Sequence, residues 1–207
     1  MTNVAVIYYS STGSVHQLAQ AAENAAVKAG AEVRLRRVAE LAPPEAIAAN
    51  PAWAAHAEAT KDVETATLAD LEWADVVLIG TPTRFGQPAA QIKQFIDTTG
   101  GLWFQGKLVN KVCSSFVSTS QTHGGQESTL LALNNSFYHW GAIIVAPGFA
   151  DPVQFAVSNG NPYGASAVTQ SGKAAVTDDN LASIEFQTRR AIEIAAALKT
   201  GLAAATA

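Results

Sequence analysis

An α/β fold, with a doubly wound five-stranded parallel sheet in the order 2-1-3-4-5 and helices on both faces, is predicted by three features. The first is a set of short apolar runs without polar alternation, such as Val4–Tyr8 and Val76–Ile79, which read as strands buried on both faces. The second is the helical periodicity that follows these runs. The third is the polar, glycine-bearing loops after the first, third and fourth strands, which that order sets side by side at the carboxyl edge of the sheet.

The first strand ends in Ser10-Ser11-Thr12-Gly13-Ser14. Four hydroxyls, a glycine and the start of a helix together make an anion cradle, because the first N–H groups of a helix are unpaired and partly positive. The loop holds no Lys or Arg, so a phosphate there is expected to rest on neutral dipoles. Taken alone, the same residues also make an ordinary βα turn. Val15, Leu18, Ala19, Ala22, Ala26 and Ala29 recur at helical spacing, so Val15–Ala29 reads as a helix that stops at Gly30. Ala31–Val38 mixes Val33 and Leu35 with arginines, as an edge strand does. Residues 41–69 carry Pro43, Pro44 and Pro51 and read as a loose connection with one short helix.

Val76–Gly80 is the third strand, and it leads into Thr81-Pro82-Thr83-Arg84-Phe85-Gly86, the second loop. A helix with Ile92, Phe95 and Ile96 on one face comes next. Gly101–Leu108 has the spacing of a nucleotide-hydrolysing phosphate loop but lacks the hydroxyl after Lys107 and precedes a strand, so that reading fails. Lys111–Ser118 is the fourth strand and Ser118–Glu127 the third loop, in which Gly124 and Gly125 allow close approach of backbone N–H groups to a ligand. The helix Glu127–Trp140, the fifth strand Gly141–Val145, a long excursion over 146–177 and a last helix from Asp178 complete the chain, with a frayed tail after Gly201. Residues 1–207 are read as one domain.

Composition narrows the function classes. A net charge of -4 and no basic cluster beyond Arg34–Arg37 argue against a nucleic-acid surface. No apolar run approaches membrane-spanning length, and no leader is evident, which points to a cytoplasmic protein without membrane insertion. Only 14% of residues are charged, a low share that suggests surface hidden between subunits. Cys113, the single cysteine, reads as a small core hydrophobe, and no metal site is evident.

One loop shaped for a phosphate monoester and two wider loops able to hold a flat ring describe a site for FMN, and no G-x-G-x-x-G is present for a dinucleotide. Tyr9–Gly13, Gly80-Thr-Pro-Thr-Arg-Phe-Gly86, Thr99-Gly-Gly-Leu-Trp103, His123-Gly-Gly-Gln-Glu127 and Pro162-Tyr-Gly-Ala165 resemble the WrbA family of flavodoxin-like NAD(P)H:quinone oxidoreductases. The resemblance implies tightly bound FMN, NAD(P)H as co-substrate, quinones as acceptors and a homotetramer.

Carried over by position, the resemblance puts the phosphate on Ser10, Ser11, Thr12, Gly13, Ser14 and Val15. The flavin ring falls to Pro82, Thr83, Arg84, Phe85 and Gly86, and to Ser118, Thr119, Ser120, Gln121, His123, Gly124 and Gly125. His139 and Trp140 join the cofactor contacts, and Trp103 lines the substrate opening. The chain departs from the family at Thr12-Gly13, where a tyrosine is common before the glycine, at Ser120–His123, and at Trp140, where a second histidine is common. The resemblance further implies ping-pong transfer of two electrons with no compulsory protein acid, His123 and His139 being candidates to serve the acceptor oxygen. The alternatives are a flavodoxin-type carrier of single electrons and a flavin-binding regulatory or scaffold protein.

Overall fold

The computed structural model describes residues 1–170 and 174–205. In chain order the elements are β1 (Asn3–Tyr8), α1 (Ser14–Lys28), β2 (Glu32–Arg37), α2 (Pro44–Ala48), α3 (Pro51–Ala59), α4 (Leu68–Trp73), β3 (Val76–Arg84), β4 (Gln87–Pro88), α5 (Ala90–Asp97), α6 (Gly100–Phe104), β5 (Val112–Thr119), α7 (Gln126–Trp140), β6 (Ile143–Ile144), a 3-10 turn (Pro152–Phe155), β7 (Ser166–Val168) and α8 (Asp178–Ala205). The sheet runs β2-β1-β3-β5-β6, all parallel. That is the predicted order once the short β4 hairpin strand is set aside.

The unalternating runs are buried on both faces, as their composition requires. Val4, Val6, Tyr8, Val76 and Leu78 pack with α1 and α8, while Ala5, Ile7, Val77 and Ile79 pack with α4, α5 and α7. Cys113 is fully buried in the second layer, and burial pushes its thiol up to about 12, so it is inert packing. On edge strand β2, Arg34 and Arg36 both reach buried Asp70 at 3.2 Å, and Arg34 also lies 4.0 Å over the Trp73 ring. Burial alone would raise the Asp70 pKa. The Thr67 hydrogen bonds and the two arginines outweigh it and hold the carboxyl below its ordinary range.

Four expectations need correction. The fifth strand is not the continuous run 141–145: its place is taken by two pieces, β6 beside Val112–Cys113 and β7 beside Val117–Thr119. The part of the excursion before β7 is therefore an insertion within one strand, and β7 itself lies inside the excursion. Gln187 of α8, fully buried, closes the gap, donating to Ser114 Oγ and the Ser115 carbonyl and accepting from Ala165 N–H at 2.7 Å. Strand groups left without a neighbour are thus satisfied by one amide.

Second, residues 41–69 hold two short helices before α4, with Pro44 and Pro51 at first-turn positions where a missing N–H costs nothing. Third, β3 runs on through Arg84 and folds back antiparallel on β4. Fourth, α8 stays helical through Ala205, because alanine-rich sequence favours helix and the single Gly201 does not stop it.

Candidate functional site

Three loops meet at the carboxyl edge of β1, β3 and β5. In the first, Gly13 sits at the N-terminus of α1 with φ of 99°, a left-handed conformation that suits glycine, and its N–H donates to Ser10 Oγ at 3.1 Å. Gly13 offers no side-chain cap, so the first-turn N–H groups of α1 are left facing the loop. Ser11 and Ser14 are half-buried, Thr12 is exposed, and the Val15 side chain belongs to the core, which leaves only its backbone for a ligand.

The second loop corrects the expectation of a cradle without counter-charge. Arg84 Nη2 donates to Ser11 Oγ at 3.2 Å, so a cation from β3 reaches the first loop. Pro82 is buried and Thr83 half-buried. Phe85 takes a φ of 52° and is fully exposed, an aromatic ring held out into solvent by a backbone conformation that costs on the order of 1–3 kcal/mol for a non-glycine residue. Gly86 follows at φ 75°.

The third loop presses against the second: a side chain at Gly125 would fall 2.8 Å from the Gly86 backbone. Thr119 Oγ1 and the Gly124 N–H both donate to the Gln121 carbonyl, at 2.8 and 2.9 Å, folding the loop on itself.

Ser11, Thr12, Ser14, Pro82, Thr83, Arg84, Ser118, Thr119 and Ser120 line one cleft of about 70 Å³. The sequence reading missed one wall, Thr169, whose N–H donates to the Thr119 carbonyl at 2.9 Å. Nothing in the local sequence marks it, because it arrives through the β7 pairing. Fit to a phosphate monoester is good: hydroxyls, an uncapped helix start and one guanidinium converge on a space of that scale.

The other candidates lie elsewhere. Trp103, His139 and Trp140 line a groove of about 340 Å³ at the far end of α7. Trp140 is buried against Phe137, with ring centroids 5.6 Å apart, whereas His139 is exposed. A helix of 15 residues spans roughly 20 Å. His139 and Trp140 therefore do not join the first cleft within one subunit. His123 is exposed beside a third cavity of about 280 Å³, between the third loop and residues 157–161, where buried Gln126 Oε1 has no hydrogen-bond partner. Gln121 is exposed at the tip of its loop. Among the described residues no cluster suited to a metal ion is found, and no helix is long and apolar enough to cross a membrane.

The profile of the NADPH-dependent FMN reductase family matches residues 2–156. The chain belongs to this family. The chain is 49% identical over 195 residues to a protein of Deinococcus radiodurans named NAD(P)H dehydrogenase (quinone), covering 94% of this chain and 96% of that one. A second relative, NAD(P)H dehydrogenase (quinone) 3 of Rhizobium meliloti, is 42% identical over 207 residues, with 97% and 95% covered. The fold matches the crystal structure of a flavodoxin, WrbA-like protein of Agrobacterium tumefaciens with a TM-score of 0.65 at 21% identity, over 94% of this chain and 98% of that one. The WrbA resemblance read from the loops agrees with these matches.

Proposed function

We propose that this protein is an NAD(P)H:quinone oxidoreductase that binds FMN tightly in the three-loop cleft. The observation that carries this reading is the bridge from Arg84 to Ser11 across an uncapped helix start, which draws the ring loops and the phosphate loop into one site. The relatives' names supply the substrates. When bound, the cofactor supplies the redox chemistry, taking hydride from NAD(P)H and passing two electrons to a quinone.

The chain's own part is to position and enclose. Ser10, Ser11, Ser14 and the first-turn N–H groups of α1 would hold the phosphate, with Arg84 as counter-charge. Thr83, Phe85 and the Ser118–Gly125 loop would contact the ring. Donor and acceptor share one opening in turn, which makes the kinetics ping-pong. His123, in the third loop but beside the neighbouring cavity, is the candidate to pass a proton to an acceptor oxygen.

We further infer a homotetramer and a cytoplasmic location. Trp103, Phe104, Leu131 and Tyr138 are all exposed on α6 and α7, an apolar face that an isolated subunit would leave in water. Packing that face on a neighbour would bring Trp103 and His139 of one copy to the cleft of another.

Steady-state NADH and NADPH oxidation, with and without benzoquinone, tests the reading. Turnover that requires the quinone, with parallel double-reciprocal lines, is the expected result. Electron delivery only to a protein partner, or no oxidation at all, would replace it with a carrier or a non-redox role.

A further inference from the structure

The two short helices α2 and α3 roof a cavity of about 210 Å³ at the carboxyl edge of β1 and β2. We propose that this cavity is a second binding site, for a small planar aromatic carboxylate, with Arg37 receiving the carboxylate. It borders the first loop at Ser10 but shares no residue with the lining of the three-loop cleft, and the proposal does not depend on the flavin reading.

The walls are suited to a ring. Tyr8, Tyr9, Ile47, Trp53 and His56 surround the space. A cavity of about 150 Å³ with apolar walls is large enough to take up benzene, so about 210 Å³ accommodates a benzene ring and one substituent.

Its polar groups are mostly donors. Arg37 differs from its strand neighbours: Arg34 and Arg36 pair with Asp70, and Arg36 also with Glu64 at 2.8 Å. Arg37 donates only to neutral carbonyls, Nε to Val63 at 2.9 Å and Nη2 to Lys61 at 3.3 Å, and among the described residues no carboxylate lies within ion-pair distance of it. A guanidinium has five N–H donors, so those two bonds leave it with spare capacity and an uncompensated charge. The Trp53 indole and the His56 ring likewise have no hydrogen-bond partner among the described residues.

One acid faces the same space. Glu40 receives the Leu41 and Ala42 N–H groups, the Gln91 amide and the Tyr9 hydroxyl, so its oxygens are already taken. Burial opposes its charge, but those bonds win and keep the carboxyl below its ordinary range. It accepts nothing further and directs an incoming anion to the Arg37 wall. Burial holds His56 below the usual imidazole range, so it meets the ligand as a neutral ring. An aromatic wall, spare donors, a lone cation and a spent acid together favour a ring that carries one negative charge.

The test uses the purified full-length protein supplied with FMN, with benzoate as the probe, followed by ligand-observed NMR and calorimetry. Benzoate is expected to bind with a dissociation constant of about 1 mM or lower, and its neutral isostere benzamide and inorganic phosphate are expected not to compete. Arg37→Gln removes the charge and Ala57→Leu fills the cavity from α3. Each should weaken benzoate at least about tenfold. Arg37→Gln also releases the Lys61 and Val63 carbonyls, so Ala57→Leu, which removes no side-chain hydrogen bond, decides if the first variant folds poorly. Absence of benzoate binding, equal binding of benzamide or phosphate, or parental affinity in Ala57→Leu overturns the proposal.

Discussion

The two ends of α7 are built by different means. At its N-terminus the surface is made by backbone: Gly13, Gly86 and Gly125 all take positive φ, and the loops they shape present N–H groups and short hydroxyls. At its C-terminus the surface is made by side chains, with Trp103, His139 and Trp140 around a groove and Phe104 and Tyr138 exposed nearby. A site made of backbone fixes a charged, invariant group such as a phosphate. A face made of exposed aromatics suits contacts that change partner, an acceptor or a second subunit. Roughly 20 Å separates them, so substitutions at one end should leave the other's readout alone.

Gly13→Val gives the largest expected effect. A β-branched residue at φ 99° must shift the loop, which should weaken FMN by about 3 kcal/mol, roughly two orders of magnitude. Trp103→Ala should leave FMN affinity within about twofold of the parent. Fluorescence titration of both variants checks this, and similar losses in the two would erase the distinction between the ends.

Trp103→Ala is next in size. It is expected to cut quinone turnover on the order of tenfold while the visible flavin spectrum stays as in the parent, because the residue serves the opening and not the cofactor. Light scattering should show a tetramer. A monomer at micromolar concentration, or parental turnover in the variant, would mean that this aromatic face serves neither acceptor nor neighbour.

Ser11→Asp comes third. The loop's own composition would make a carboxylate there severely damaging, but Arg84 stands 3.2 Å from Ser11 and offsets it. A loss of about 1 kcal/mol is expected for the single variant, and Ser11→Asp with Arg84→Ala should lose more than the two singles summed. Additive losses in this cycle would show that Arg84 does not serve the phosphate loop.

Much of this was legible in the sequence, because the signals were local. Val4–Tyr8 and Val76–Ile79 are apolar without alternation, and only a strand covered on both faces explains that. The glycines that end strands marked the loops. What escaped depended on partners distant in sequence. Arg84 meets Ser11 across 73 positions, Gln187 fills a gap 72 or 73 positions away, and Thr169 reaches the cleft through a three-residue strand. The broken fifth strand was hidden because Gly141–Val145 reads equally well as one continuous strand. Trp140 looked like a site residue by position, but its burial on Phe137 makes it core within its own subunit.

The smallest expected effect is on stability against pH. His16 and His56 lie 5.3 Å apart next to the first loop, His16 Nδ1 is 2.6 Å from the Tyr8 hydroxyl, and burial lowers both imidazole pKa values from 6.5. Below about pH 6.5 the unfolded chain therefore binds protons that the folded one refuses. Stability should be full above that pH and fall as pH drops through it toward the folded values. Chemical denaturation between neutral and mildly acidic pH checks the slope, and replacing both histidines with glutamine should flatten it. A slope unchanged in that variant would place the acid sensitivity elsewhere.

The central claim is that the backbone-built end holds FMN, and mass analysis of the cofactor released from purified protein by heat tests it most directly. FMN is the expected mass. Recovery of FAD, or of no flavin even after FMN has been supplied, would contradict the account.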